Sequence, residues 1–342
     1  MARKPQFKKT VFSNGLTLVS ERHPEFRSLS IGVWVNVGTR HESAAEQGVS
    51  HFLEHMCFKG TEKRPTAHSI SAELDGLGSQ YNAFTGQEYT GYYAKSDAKH
   101  FKSIFDIVSD IYLNSTFPEA EMQKEKGVIV EEINMYEDMP HRHVQDLFME
   151  LLYGNQPAGW NIAGTRDNVR GMTREDFVSY KKAHYVPKAT TVVVAGKVKE
   201  KEVEKEIARV FGTLKSSAKS TKLATKNAQS KPAALVEYKQ TDQTHLMLGV
   251  RTFDAYDNRN PALAVLATIL GGGMSSRLFI KLREELGVAY YVRASNDNFT
   301  DHGFFDVTAG VSNDRVTEVT GEILRECAKL TRELVGPDEL KK

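Results

Sequence analysis

The sequence predicts an α+β protein made of two similar α+β domains, each a mostly antiparallel sheet flanked by helices. Three observations lead there. The chain has 342 residues, past the size at which single cores tend to split. An order of strand, helix, helix, strand, strand, helix recurs in its two halves. Between the halves lies KSSAKSTKLATKNAQSKP, residues 215–232, rich in lysine and without a single acid. The expected layout is a first domain over 1–214, a linker over 215–232 and a second domain over 233–342.

The elements follow from periodicity. LSIGVWVNVG (29–38) alternates apolar and polar residues and reads as a strand. A helix follows over about 47–58, with Gly60 as its stop. AHSISAELDGLG is a second helix. YNAFT and EYTGYYAK are strands. DAKHFKSIFDIVSDIYLN carries Phe101, Ile104, Ile107 and Val108 on one helical stripe. EAEMQKEKGVIVEEINMYEDM is a long helix that must end before Pro140. HVQDLFMELLYG, REDFVSYKKAHY and KEVEKEIARVFG are helical, and TTVVVAG is a strand. The lysines of 215–232 have no interleaved aromatic residues and read as a solvated linker.

Beyond the linker the order starts again. THLMLGVRTF parallels SLSIGVWVNV. NPALAVLATIL takes the place of the helix around residue 52. IKLREELGVAYYVRASND parallels AELDGLGSQYNAFTGQE, and HGFFDVTAGVSNDRVTEV parallels YTGYYAKSDAKHFKSI. The first copy continues for roughly a hundred residues after its matching helix, so the second copy reads as truncated at its C-terminal end. NPALA stands where the first copy has HFLEH. Only the first copy is equipped for chemistry.

Charge and composition exclude some classes. The net charge of +1 points to neither nucleic acid nor a membrane surface as partner. The longest apolar runs are too short to span a bilayer. The basic start MARKPQFKKTVF lacks an apolar stretch behind it and does not read as a secretory signal. Two cysteines far apart, Cys57 and Cys327, form no disulfide framework and fit a reducing compartment. A cytoplasmic protein is the expectation.

The chemistry is concentrated in HFLEH. On a helix His51 and His55 lie four apart, on one face, and can bind one ion together. Glu54 projects toward the same region. Val49, Phe52, Leu53 and Met56 form the buried stripe beside them. The plainer alternative is a polar helix flank with chance spacing. Two histidines are half of a zinc shell; a catalytic site needs a third protein ligand and leaves the fourth position to water. GVIVEEINMYE supplies candidates. Glu125 and Glu132 are seven apart and share a face, near Val128, Ile129 and Tyr136. Helix geometry leaves Glu131 open as a rival.

H-x-x-E-H is the inverted zincin motif. Together with EKGVIVEEINMYED it makes the chain resemble the pitrilysin/insulinase-type zinc metallopeptidases, and among them the short bacterial type similar to the β subunit of the mitochondrial processing peptidase. The resemblance runs from about residue 10 to the end. It implies zinc on His51, His55 and Glu132, because the family's spacing to the third ligand falls on Glu132. It implies Glu54 as the catalytic base and Glu125 as an auxiliary acid. GSQYNAFTGQEYTGYY resembles the family's active-site edge strand, where Asn82 and the Ala83 backbone would hold substrate. GGGMSSRLFIKLREELGVAYYV resembles the stretch that supplies an arginine and a tyrosine to the substrate, here Arg283 and Tyr290. Cys57 reads as a small core filler. The implied activity is zinc-dependent cleavage of extended peptides or unfolded precursor segments, in a homodimer or with a related partner subunit. A non-catalytic scaffold subunit is the alternative, and a zinc amidase a third.

Overall fold

The computed structural model describes residues 7–227 and 229–341. The elements are β1 (Phe7–Val11), β2 (Thr17–Arg22), β3 (Ser28–Val35), α1 (Val49–Cys57), α2 (Ala67–Gly76), β4 (Gln80–Thr85), β5 (Thr90–Asp97), α3 (Phe101–Asn114) and α4 (Glu119–Glu137). Then come α5 (Pro140–Tyr153), α6 (Arg166–Gly171), α7 (Arg174–His184), β6 (Thr190–Gly196) and α8 (Glu200–Phe211). Past the linker lie β7 (Gln243–Thr252), α9 (Asn260–Gly271), a π-helical segment (Phe279–Glu285), β8 (Ala289–Asn298), β9 (Gly303–Ser312), α10 (Val316–Arg332) and the short α11 (Pro337–Leu340).

By packing, the chain divides into two units. The first runs to Ile133 and resumes over Asn161–Leu223; the second takes Asn134–Trp160 and the residues from Ala224 onward. The sequence reading had grouped 134–160 with the first domain. Helix α5 instead packs on β7, and its Phe148 stacks edge-on against Phe304, with ring centroids 5.5 Å apart.

The first unit holds a six-stranded sheet in the order β1-β2-β6-β3-β5-β4. Every pairing is antiparallel except β2 with β6. Alternating residues of the central strands, Ile31, Val33, Val35, Val192 and Val194, are buried, as a period of two places them on one face. Onto that face α1 delivers Val49, Phe52, Leu53 and Met56 and α3 delivers Ile104, Ile107 and Val108, all buried. These are the stripes expected from the sequence. The β1–β2 hairpin was not anticipated; Asn14-Gly15 in its turn was the available signal.

The second unit is a smaller antiparallel sheet, β7-β9-β8. Its core includes Leu270, Leu282, Val307, Ala309, Val319 and Ile323. The segment expected to parallel α2 is wound as a π-helix rather than an α-helix. The order β7-β9-β8 repeats β3-β5-β4, and in both units the helix after the first strand packs on the second: α1 on β4, α9 on β8. The internal repeat read from sequence is thus a repeat of topology.

Among the described residues the linker has no helix or strand, and most of it is exposed. Lys222 departs from the solvated reading. It pairs with Glu88, and the neighbouring carbonyl of Leu223 accepts a hydrogen bond of 3.0 Å from Arg40. Among the described residues no helix is long and apolar enough to cross a membrane.

Candidate metal and catalytic site

Helix α1 places both histidines and Glu54, and α4 places both candidate acids. The buried stripe of α1 turns its other flank toward α4, so that His51 and His55 face Glu132. The Nε2 atoms of His51 and His55 each lie 3.7 Å from Glu132 Oε2. The candidate ligand atoms of the three residues all lie within 4.8 Å of one another. Ligands about 2.1 Å from a tetrahedral zinc sit roughly 3.4 Å apart. The three side chains therefore fit one such ion with small adjustments. Glu131, the rival, is exposed to solvent and stands outside this group. Val128 is also half exposed, whereas Ile129 is fully buried.

The surroundings suit ligation. Nδ1 of His55 donates to Glu125 Oε1 at 2.8 Å, which leaves its Nε2 lone pair facing Glu132. Glu125, only 6% exposed, is held on its other oxygen by Lys59 Nζ at 2.6 Å. Burial would raise the Glu125 carboxyl, but His55 and Lys59 together bring it below the usual carboxylate range. Burial works against the charged His55, yet the Glu125 hydrogen bond and the nearby carboxylates raise it. His51 goes the other way: burial, helped by the charge of His55, pushes it down to about 3. A neutral imidazole is the form a metal needs. Nδ1 of His51 is buried and has no hydrogen-bond partner among the described residues.

Glu54 is oriented by β4. Thr85, its last residue, donates from Oγ1 to Glu54 Oε2 at 2.6 Å. Burial raises the Glu54 carboxyl above its ordinary value, a shift that Thr85 opposes. A raised carboxyl is nearer the range useful for moving protons at neutral pH.

Asn82 and Ala83 lie on β4, which pairs only with β5 among the described strands. Asn82 is exposed, and its Oδ1 accepts a hydrogen bond of 2.9 Å from Ala83 N. Arg283 lies in the π-helical segment of the second unit. It donates to the Tyr290 carbonyl at 3.0 Å and lies over the Phe279 ring. Tyr290 is 72% exposed. Cys57 is buried and free, as expected of a core filler. Sequence reasoning missed Thr85 and Lys59. Lys59 lies just past the end of α1 and Thr85 meets α1 only through the fold, so helical periodicity flagged neither.

A family model described as insulinase (peptidase family M16) matches residues 17–166, and one described as the peptidase M16 inactive domain matches 171–342. The chain belongs to the insulinase family. An uncharacterized zinc protease of Bacillus subtilis is 37% identical over 97% of this chain and 80% of its own length. Another from Mycobacterium leprae is 38% identical over 96% of this chain and 75% of its own. The crystal structure of a Helicobacter pylori protease superposes with a TM-score of 0.91, covering 98% of this insulinase-family chain and 82% of that one at 23% identity. A Pseudomonas fluorescens structure described as a peptidase M16 inactive domain gives 0.89, covering 98% and 81% at 18% identity. At these identities the two structures speak for the fold alone.

Proposed function

We propose that this chain is a zinc-dependent endopeptidase acting on extended peptides or unfolded precursor segments. The observation that carries the reading is the convergence of His51, His55 and Glu132, with Glu54 held beside them by Thr85. His51, His55 and Glu132 would hold the zinc, which when bound supplies a more acidic water and a polarised scissile carbonyl. Glu54 takes the proton of the attacking water and returns it to the leaving amine. Thr85 keeps one Glu54 oxygen engaged, so the other is the one free to move the proton. Glu125 keeps the proton on Nδ1 of His55 and so steers Nε2 toward the ligand position. Lys59 offsets the charge that Glu125 brings into the site.

The substrate is proposed to add as a strand to the open edge of β4, along Asn82 and Ala83, where main-chain hydrogen bonds give affinity. Asn82 would then release Ala83 N to the peptide. Arg283 and Tyr290 are proposed as further substrate contacts, and a second copy or a related subunit as the partner of the active form. The test compares wild type with Glu54→Gln for bound zinc and for cleavage of a quenched fluorescent peptide library. Zinc in both and cleavage only by wild type is the expected result. Zinc in both with cleavage by neither shows that the chain needs a related catalytic partner or is a scaffold subunit. Absence of zinc from wild type sinks the ligand assignment.

A further inference from the structure

The metal-bearing helix begins without a cap of its own. Its N-cap is Gly48, which has no side chain to accept the first backbone N–H groups. The position cannot easily take one. Its φ is +91°, and a Cβ would come within 2.5 Å of the Ala163 carbonyl oxygen. The orphan donors of a helix start must still be satisfied. Glu42, six residues upstream, does this. Its Oε2 accepts from Gly48 N at 2.9 Å and its Oε1 from Ser50 N at 2.8 Å. Glu42 is 2% exposed; burial pushes its carboxyl up to about 8, a shift that the Ser50 and Gly48 N–H donors oppose, and the helix dipole favours the charged form. Ser50 is the residue before His51, and its hydroxyl meets Tyr180 Oη at 2.8 Å.

The turn that carries Glu42 also holds β4. Thr39 N donates to the Gly86 carbonyl at 3.3 Å, and Arg40 N to the Gln87 carbonyl at 2.8 Å. Gly86 directly follows Thr85. Residues 39–42 thus tie the start of α1 to the end of β4. Those are the two elements whose side chains meet where Thr85 donates to Glu54.

We infer that Glu42 is a positioning residue for the metal and catalytic site: by capping α1 from outside the helix it fixes the direction in which His51, Glu54 and His55 point. It touches neither substrate nor ligand position and acts through α1. Glutamine cannot replace it. An amide offers one acceptor oxygen and would aim its own N–H at the second donor. The inference rests on the zinc-peptidase reading.

The experiment measures zinc affinity by chelator competition, kcat and KM on one peptide, and thermal unfolding. It compares wild type, Glu42→Gln, Glu42→Asp and Val203→Ala. Val203 is buried on α8 and serves as a control for general destabilisation. Groups that orient metal ligands cost about 10- to 100-fold in affinity when changed. Glu42→Gln is expected to lose about tenfold in zinc affinity and in kcat, with KM within twofold. Glu42→Asp keeps both acceptor oxygens but withdraws the carboxyl by one carbon, and is expected to fall between Gln and wild type. Val203→Ala should lower the unfolding temperature and leave zinc affinity unchanged. Unchanged zinc affinity in whichever Glu42 variant folds overturns the inference. So does equal zinc loss in Val203→Ala. Absence of zinc binding by wild type would overturn the metal reading, and this inference with it.

Discussion

Strands β3, β5 and β4 with helix α1 form one arrangement, and β7, β9 and β8 with α9 form it again. These three strands have the same order in both, and the helices pack on corresponding strands. The seams between helix and sheet differ. In the first unit the seam is polar: Thr85 Oγ1 reaches Glu54 and, at 3.5 Å, the carbonyl of Ser50. In the second it is closed by a glycine. A Cβ on Gly271 would lie 2.3 Å from the backbone nitrogen of Ala294, and α9 has no charged residue in Asn260–Gly271. One scaffold can therefore present a chemical site or a plain packing surface. The choice rests on the side chains of one helix and on how closely it approaches the sheet.

That contrast can be broken most completely by making α1 resemble α9. His55→Leu should leave the first unit folded, because His55 is only partly buried, and should abolish zinc retention after gel filtration. Retention of zinc would show that the ligands lie elsewhere. Glu125→Gln is expected to weaken zinc affinity about 10- to 100-fold through the loss of a charged partner for His55, read by chelator competition. Thr85→Val keeps the shape and removes the donor to Glu54. A hydrogen bond to a charged group is worth about 1.5–3 kcal/mol, so kcat should fall about tenfold or more while zinc content stays at wild type. Gly271→Ala probes the other seam. It should destabilise the protein by about 1–3 kcal/mol in urea unfolding, through overpacking, and leave zinc affinity untouched. An unaltered unfolding midpoint would show that α9 can move away freely.

The smallest expected effect concerns pH. Burial, with the positive neighbours His184, Lys222 and Lys219, pushes His41 down to about 4. The unfolded imidazole titrates near 6.5. Between these values the unfolded chain binds the extra proton, so stability is full above about 6.5 and is lost as pH falls toward 4. His41 is partly open to solvent, so screening holds its share below about 1 kcal/mol. His41→Gln should flatten the dependence of the urea midpoint between pH 7 and pH 5. An unchanged slope would assign that dependence to other groups.

Much of this could be read in the chain. The stripe Val49, Phe52, Leu53 and Met56 marked α1 and its buried face, and the repeat of element order anticipated the matching topologies. His51, His55 and Glu132 were expected together and lie together. What escaped was non-local. Glu42 meets Gly48 and Ser50 only because the chain doubles back before α1 begins. Thr85 meets Glu54 only because β4 runs under that helix. The placement of α5 with the second unit depends on contacts such as Phe148 with Phe304, made across more than 150 residues. Lys222 looked solvated because its partner, Glu88, is far away in sequence. Periodicity reports which face of an element is buried; it carries no record of which distant element buries it.

The position of β6 in the first sheet has a consequence for how the molecule is made. It lies between β2 and β3, yet it follows β3 by roughly 150 residues. On a ribosome adding about 5–20 residues per second, that delay is on the order of 10 s. During it, β2 and β3 each keep an unpaired edge while α1 and α4 have already emerged. Closing such a distant pairing is slow, and open strand edges invite the wrong neighbours. The nascent chain thus passes through an interval in which His51, His55 and Glu132 have been synthesised but the strand that joins β2 to β3 has not. Its yield in a cell should depend on what shelters those two edges until β6 arrives.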